Sequence, residues 1–120
     1  MTMKEVLNLE HFEILEETDQ EEPGFLASMT QGFEKNSTEL LRQLKESIQH
    51  KKLENYTFFV HKLKGLSGAL GARLLSNLAS EAEILSKSEP DFKKLEKILK
   101  EMDSAYAVCL DAIKKRQKNS

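Results

Sequence analysis

The segment FFVHKLKGLSGALG, residues 58 to 71, sets one histidine, two lysines and three glycines within a stretch of helical hydrophobic spacing. Successive residues of an α-helix turn by 100°, so the direction of each side chain can be measured from His61. Tyr56, Phe59, Leu63, Leu66 and Leu70 fall roughly 140–220° away and form the expected buried stripe. His61 then points to solvent. Glu54, Thr57, Phe58, Lys64, Gly65 and Gly68 lie within about 60° of it on the same exposed face. A glycine in a helix interior costs about 1 kcal/mol relative to alanine. On a solvent face the missing side chain does nothing for the core, but it leaves bare backbone over which another protein can approach the imidazole.

A lone helical histidine is ordinarily a solvated surface residue or a satisfied core residue, and the chemistry here rests on its neighbours. Lys64, three residues on, is placed to pair with an anionic group carried on His61, and its charge opposes a positive charge on the ring. A neutral imidazole, an adjacent ammonium and glycine clearance suit reversible acceptance of a phosphoryl group. A metal site fits poorly, because no His, Asp, Cys or second Glu stands at i+4 with suitable partners. Hydrolysis fits poorly as well, since no orienting acid or nucleophilic serine stands at a recognisable spacing. Phe58, one turn before His61, reads as a docking anchor for a partner or as a rim residue half-buried against the preceding helix, and Thr57 lies beside it on the same face.

The elements that must hold this face follow from periodicity. Asn8 caps a short helix over about 9–17, and TDQEEPG reads as a connection. Leu26, Met29, Phe33, Leu40, Leu44 and Ile48 predict a long helix over about 24–50. The histidine helix spans about 52–70, with Gly71 as its left-handed stop. A third bundle helix covers about 72–87. A fourth covers about 90–115, with Ser88 as its N-cap and Pro90 in its first turn, and the tail KKRQKNS is expected to fray. The fold class is all-α: an antiparallel up-down-up-down four-helix bundle with a short N-terminal capping helix, one domain over 1–120.

Composition narrows the partners. The chain has 120 residues, 39% hydrophobic and 32% charged, with a formal net charge of -2. That balance supplies no general field for nucleic acid or an anionic membrane, so neither is expected as a partner. Cys109 is the only cysteine, which rules out an internal disulfide and suits a reducing compartment. No apolar run long enough to span a bilayer and no signal-peptide pattern is present, and a cytoplasmic monomer is expected. His11 and His50 read as surface histidines, and Cys109 and the four methionines as core filling.

The run from His61 to Ala72, HKLKGLSGALGA, resembles the H-x-L-K-G-x-x-x-x-x-G-A motif of the histidine-containing phosphotransfer (HPt) domain family. The resemblance extends over nearly the whole chain: the Asn8-capped helix, the acidic connection into PGFLASMTQGF, the long helix before the motif, and LLSNLASEAEILSK after it, where Leu78, Ala82 and Glu83 look like the family's pattern. It implies a phosphorelay intermediate in which His61 takes a phosphoryl group, through the ring nitrogen farther from the backbone, from a receiver-domain phospho-aspartate and passes it to another receiver's aspartate. Lys64 would be the phosphate counter-charge, Lys87 a second phosphate-stabilising residue, Gly65 and Gly68 the clearance for the receiver, and Gly71 the helix stop. No cofactor is expected in this chain, since the receiver would bring magnesium and its own lysine. The implied partners are response-regulator receiver domains and a hybrid sensor histidine kinase. Leu66 stands where many members carry a serine, while Ser67 keeps a hydroxyl nearby.

Two alternatives come from other classes: a non-catalytic helical adaptor that binds a receiver, and a phosphorylatable module excised from a larger sensor or chemotaxis kinase. The presence of His61 argues against the adaptor, and the starting Met and basic end favour a complete small protein.

Overall fold

The structure is a computed structural model and describes residues 1–118. Among them the chain forms six helices and no strand: α1 (Met3–Val6), α2 (Leu9–Glu21), α3 (Phe25–Gln49), α4 (Leu53–Ala69), α5 (Arg73–Ser88) and α6 (Phe92–Lys118). α3 packs on α4, α4 on α5 and α5 on α6, and α6 returns against α3 to close a ring; α2 lies on α3, and α1 on α5 and α6. The core inside the ring includes Phe33, Leu44, Tyr56, Leu63, Leu75, Leu95, Met102 and Ile113, all fully buried. Along each of these helices the buried positions recur mostly every three or four residues, which is what makes the segments helices that stack rather than stand alone. No helix among the described residues is long and apolar enough to cross a membrane.

The all-helical class agrees with the sequence, and the count differs by one. α1 has four residues, too few to show a periodicity, yet Val6 and the following Leu7 are buried, and the Cys109 thiol donates to the Val6 carbonyl at 3.5 Å. Asn8 caps α2 as expected, its Oδ1 accepting from His11 N at 3.2 Å. α2 then runs through Thr18–Glu21, where the sequence suggested a connection. Those polar residues extend an amphipathic helix until Pro23 and left-handed Gly24 end it, and Asp19 Oδ1 accepts from Leu26 N at 2.9 Å to cap α3.

The last helix also differs from expectation. Ser88 is the final residue of α5, donating to Ile84 O at 2.8 Å, and the cap of α6 is Asp91, whose Oδ1 accepts from Lys93 N at 2.9 Å. Pro90 therefore precedes the helix rather than opening it. At the far end α6 continues through Lys118, beyond the expected 115. Arg116 makes a two-pronged pair with Glu16 of α2, at 3.0 and 2.9 Å, and Lys114 reaches Glu34 of α3 at 3.3 Å, so most of the predicted frayed tail is ordered helix. Its last two residues, 119 and 120, lie outside the described residues.

The connections before and after α4 use the same backbone device; before it, Lys51 N donates to Ile48 O at 3.2 Å and Lys52 N to Ser47 O at 2.8 Å, with Lys51 at φ 51°. After α4, Gly71 N donates to Gly68 O at 3.1 Å and Ala72 N to Ser67 O at 2.8 Å, with Gly71 at φ 74°. This is a Schellman motif, and the histidine helix ends there. An added Cβ there would meet Asn8 O at 3.4 Å, and Asn8 N donates back to Gly71 O at 2.8 Å, so glycine serves both the conformation and the approach of the N-terminal arm. His11 is not a plain surface residue: its Nε2 lies 2.8 Å from Ala69 O, where it caps an orphan carbonyl at the end of α4.

Candidate functional site

α4 is wedged between α3 and α5 and buries Tyr56, Val60, Leu63, Ser67 and Leu70. The stripe expected from sequence included Phe59 and Leu66, on its side nearer 140°, and both are only partly covered. The difference is a rotation of the helix toward Val60 and Ser67. Ser67 can be buried because its hydroxyl donates to Leu63 O, one turn back, at 2.6 Å, which satisfies it locally. Ser67 therefore contributes no hydroxyl to the histidine face. The opposite side of α4 carries His61 outward, with 65% of its side chain exposed.

The sequence offered no orienting acid, and the structure supplies one. Glu83, on α5, is buried, with 8% of its side chain exposed, and its Oε2 lies 2.8 Å from His61 Nδ1. Lys64 Nζ reaches its other oxygen at 2.7 Å, and Lys87 Nζ reaches Oε2 at 3.2 Å. The hydrogen bond from Lys64 foremost, with those from Lys87 and His61, outweighs burial and holds the Glu83 carboxyl down at about 2. One carboxylate thus gathers His61, Lys64 and Lys87. Its pairing with His61 escaped the sequence reading because the two residues are 22 positions apart. A signal existed: on α5 the buried positions are Leu75, Ala79, Ala82, Glu83 and Ser86, and an acid within an otherwise small and apolar stripe requires a partner.

The chemistry of the ring follows from the acceptor. An ionised carboxylate can only accept, so Nδ1 must carry the hydrogen, and a neutral imidazole then has its lone pair on Nε2. Nε2 has no hydrogen-bond partner among the described residues, and the exposed ring presents it to solvent. Lys64 is engaged with Glu83 rather than standing as a bare counter-charge, but its ammonium has three donors and spends one there. Lys87, 63% exposed, is in the same position.

The clearance residues separate. A Cβ on Gly65 would meet nothing within 4 Å, so Gly65 is open backbone one turn beyond His61. A Cβ on Gly68 would sit 3.6 Å from Ser76 Oγ of α5, so Gly68 faces its neighbouring helix as much as solvent. Thr57 is half-buried and turned inward: its hydroxyl lies 2.9 Å from Ser86 Oγ, and Ser86 in turn donates to Glu83 O at 2.7 Å. It braces the α5 segment that carries the acid. Phe58 is exposed, stacked edge-on against Phe59 with centroids 5.4 Å apart and with Lys62 Nζ 4.6 Å above its ring. Ile84, next to Glu83 on α5, is the second large apolar residue left exposed on these two helices, and the sequence reading did not single it out.

A sequence model described as the Hpt domain matches residues 28–112, a span that contains His61, Lys64, Glu83 and Lys87. Among solved structures, the fold is similar to that of a rice protein whose own description provisionally names it a histidine-containing phosphotransfer protein. The TM-score is 0.85 at 14% identity, over 98% of this chain and 85% of that one. No curated protein sequence matches the chain. At that identity the structural likeness speaks for the fold alone, whereas the sequence match runs through most of the chain and across the whole histidine cluster, and on it the protein belongs to the Hpt domain family, with a histidine phosphotransfer role in phosphorelay.

Proposed function

We propose that the whole chain is one HPt domain, a cytoplasmic, monomeric phosphorelay intermediate that carries the phosphoryl group on Nε2 of His61. The observation that carries this reading is the exposed ring whose Nδ1 is occupied by buried Glu83 at 2.8 Å, which directs the nucleophilic lone pair outward. In the first half-reaction Nε2 attacks the phosphorus of a receiver's aspartyl phosphate. The N–P bond forms as the P–O bond to the aspartate breaks, and the carboxylate leaves with the electron pair. The second half-reaction runs the same exchange toward another receiver's aspartate. Lys64 and Lys87, held by Glu83 beside the ring, turn their remaining donors to the phosphoryl oxygens. Gly65 lets the receiver's loops close over His61, and Phe58 with Ile84 offers the apolar contact on either side. The receiver supplies magnesium and its lysine, and a hybrid sensor kinase would be the upstream source.

The ring of α3 to α6 is read as antiparallel throughout. Each of its connections, residues 50–52, 70–72 and 89–91, has three residues. Such a link reaches only about 10 Å, far short of the length of the helix it follows, so each helix must run back along the last.

The test is transfer from a phosphorylated receiver domain to wild type and to His61→Gln. Acid-labile, base-stable label should appear on wild type and be absent from the variant. Label on His61→Gln would refute His61 as the carrier, and no label on wild type from any receiver of the same organism would leave the adaptor reading in place.

A further inference from the structure

We infer that Glu83 is a positioning residue that keeps the proton on Nδ1 of His61 after phosphorylation as well as before it, and so holds phospho-His61 in the form that gives its phosphoryl group away. This rests on His61 being the carrier. When Nε2 attacks with its lone pair, the electrons go into the new N–P bond, and the ring briefly bears both the Nδ1 hydrogen and the phosphoryl group, with a positive charge. Two outcomes are then open. If the Nδ1 proton leaves, the ring becomes neutral, and breaking the N–P bond would expel an imidazolate, a poor leaving group. If the proton stays, the same bond breaks to release neutral imidazole with its electron pair, and the phosphoryl group moves readily to an aspartate oxygen.

What decides between them is the acceptor at Nδ1. Glu83 Oε2 sits 2.8 Å from that nitrogen, on a helix other than the one bearing the histidine, so the contact is fixed by the α4–α5 packing rather than by side-chain reach. Ser86, one turn along α5, is bridged to Thr57 of α4 at 2.9 Å and donates to the Glu83 carbonyl, so the two helices are clamped at the acid itself. The carboxylate stays ionised through the neutral range, because Lys64 and Lys87 hold it so. The charged groups that face the ring are Lys64 from α4 and Glu83 and Lys87 from α5; α3, also packed on α4, adds no ion pair to this cluster among the described residues. The two ammonium groups oppose a cationic ring. A phosphoryl group arriving at Nε2 brings up to two negative charges that offset them and occupy their remaining donors, while Glu83 stays on the Nδ1 hydrogen.

The proposal is tested without any receiver. Phosphoramidate phosphorylates imidazole directly, with loss of ammonia as its P–N bond breaks, and would load wild type and E83Q alike at the exposed Nε2. Nitrogen-15 NMR of the loaded ring should show Nδ1 protonated to higher pH in wild type than in E83Q. Phospho-His61 should hydrolyse about tenfold or more faster in wild type near neutral pH, the ratio expected for losing one charge-assisted hydrogen bond. Equal Nδ1 profiles and equal lifetimes in the two proteins would overturn the inference, as would a wild type that phosphoramidate does not label at His61. Should E83Q fail to fold, the unphosphorylated wild type still decides: its neutral ring must be the Nδ1–H tautomer, and a dominant Nε2–H tautomer refutes the proposal. If the lifetimes shift as stated while no receiver exchanges phosphate with the protein, the relay reading fails and the role of Glu83 stands.

Discussion

Acid should weaken this fold through one carboxylate, and Glu83→Gln measures how much. Glu83 is held at about 2 in the folded protein against an ordinary 4.5, by Lys64 first and by Lys87 and His61 with it. Because the folded value is the lower one, the unfolded chain binds the proton more readily. The stabilisation is therefore fully present above pH 4.5 and is lost as pH falls toward 2. At 1.36 kcal/mol for each pH unit the difference sets a ceiling of about 3 kcal/mol. The net value must be smaller. Glu83 is covered, but the Lys87 and His61 side chains that pair with it are more than 60% exposed and screened by water. We expect about 1–2 kcal/mol. A protonated glutamate and a glutamine are nearly the same shape and both neutral. Urea unfolding of wild type and Glu83→Gln at a series of pH values should thus show a gap of about 1–2 kcal/mol at pH 6–7 that closes by about pH 2–3. The other carboxylates titrate in both proteins and cancel. A gap that stays constant down to pH 2 would mean that the stability of the cluster comes from packing and not from the carboxylate charge.

Three further outcomes follow from the backbone around the site. Gly65→Ala removes an interior helix glycine whose Cβ would meet only open space, so thermal unfolding should show a gain of about 0.5–1 kcal/mol while transfer from a phosphorylated receiver slows; unchanged transfer would show that no partner closes over Gly65. Gly71→Ala should lose about 1–2 kcal/mol in urea unfolding, since φ 74° and the Asn8 carbonyl at 3.4 Å both oppose a side chain, and a neutral result would mean that the α4–α5 turn can rearrange cheaply. Asp91→Ala should cost about 1 kcal/mol by the same measurement, whereas Ser88→Ala should leave stability within about 0.5 kcal/mol, a contrast that separates the observed cap of α6 from the expected one.

Local rules were enough for part of this molecule, and the part they missed has a common cause. Asn8 as a cap, Gly71 as a stop and the outward direction of His61 all depend on residues within a turn or two of one another, where dihedral preference and a 100° step decide the outcome. The same step misjudged the centre of the α4 stripe. Phe59 and Leu66 are more hydrophobic than Ser67, but burial is set by which neighbours the helix meets, and a serine that bonds its own helix can enter the core. The functions of Glu83, Thr57 and His11 were illegible for a different reason. Each acts on another helix: Glu83 on His61, Thr57 on Ser86, His11 on the end of α4. Pairings across helices depend on packing angles that no single periodicity contains. That division bears on the site itself. The proposed nucleophile His61, Lys64 and the open Gly65 lie within five residues on one helix, so they are fixed once α4 forms; Glu83, on the ring's Nδ1, comes from α5 and is fixed only when the bundle closes. A loosened α4–α5 contact would therefore leave His61 exposed but no longer directed, and loss of phosphoryl transfer should precede loss of helix as such a variant is warmed.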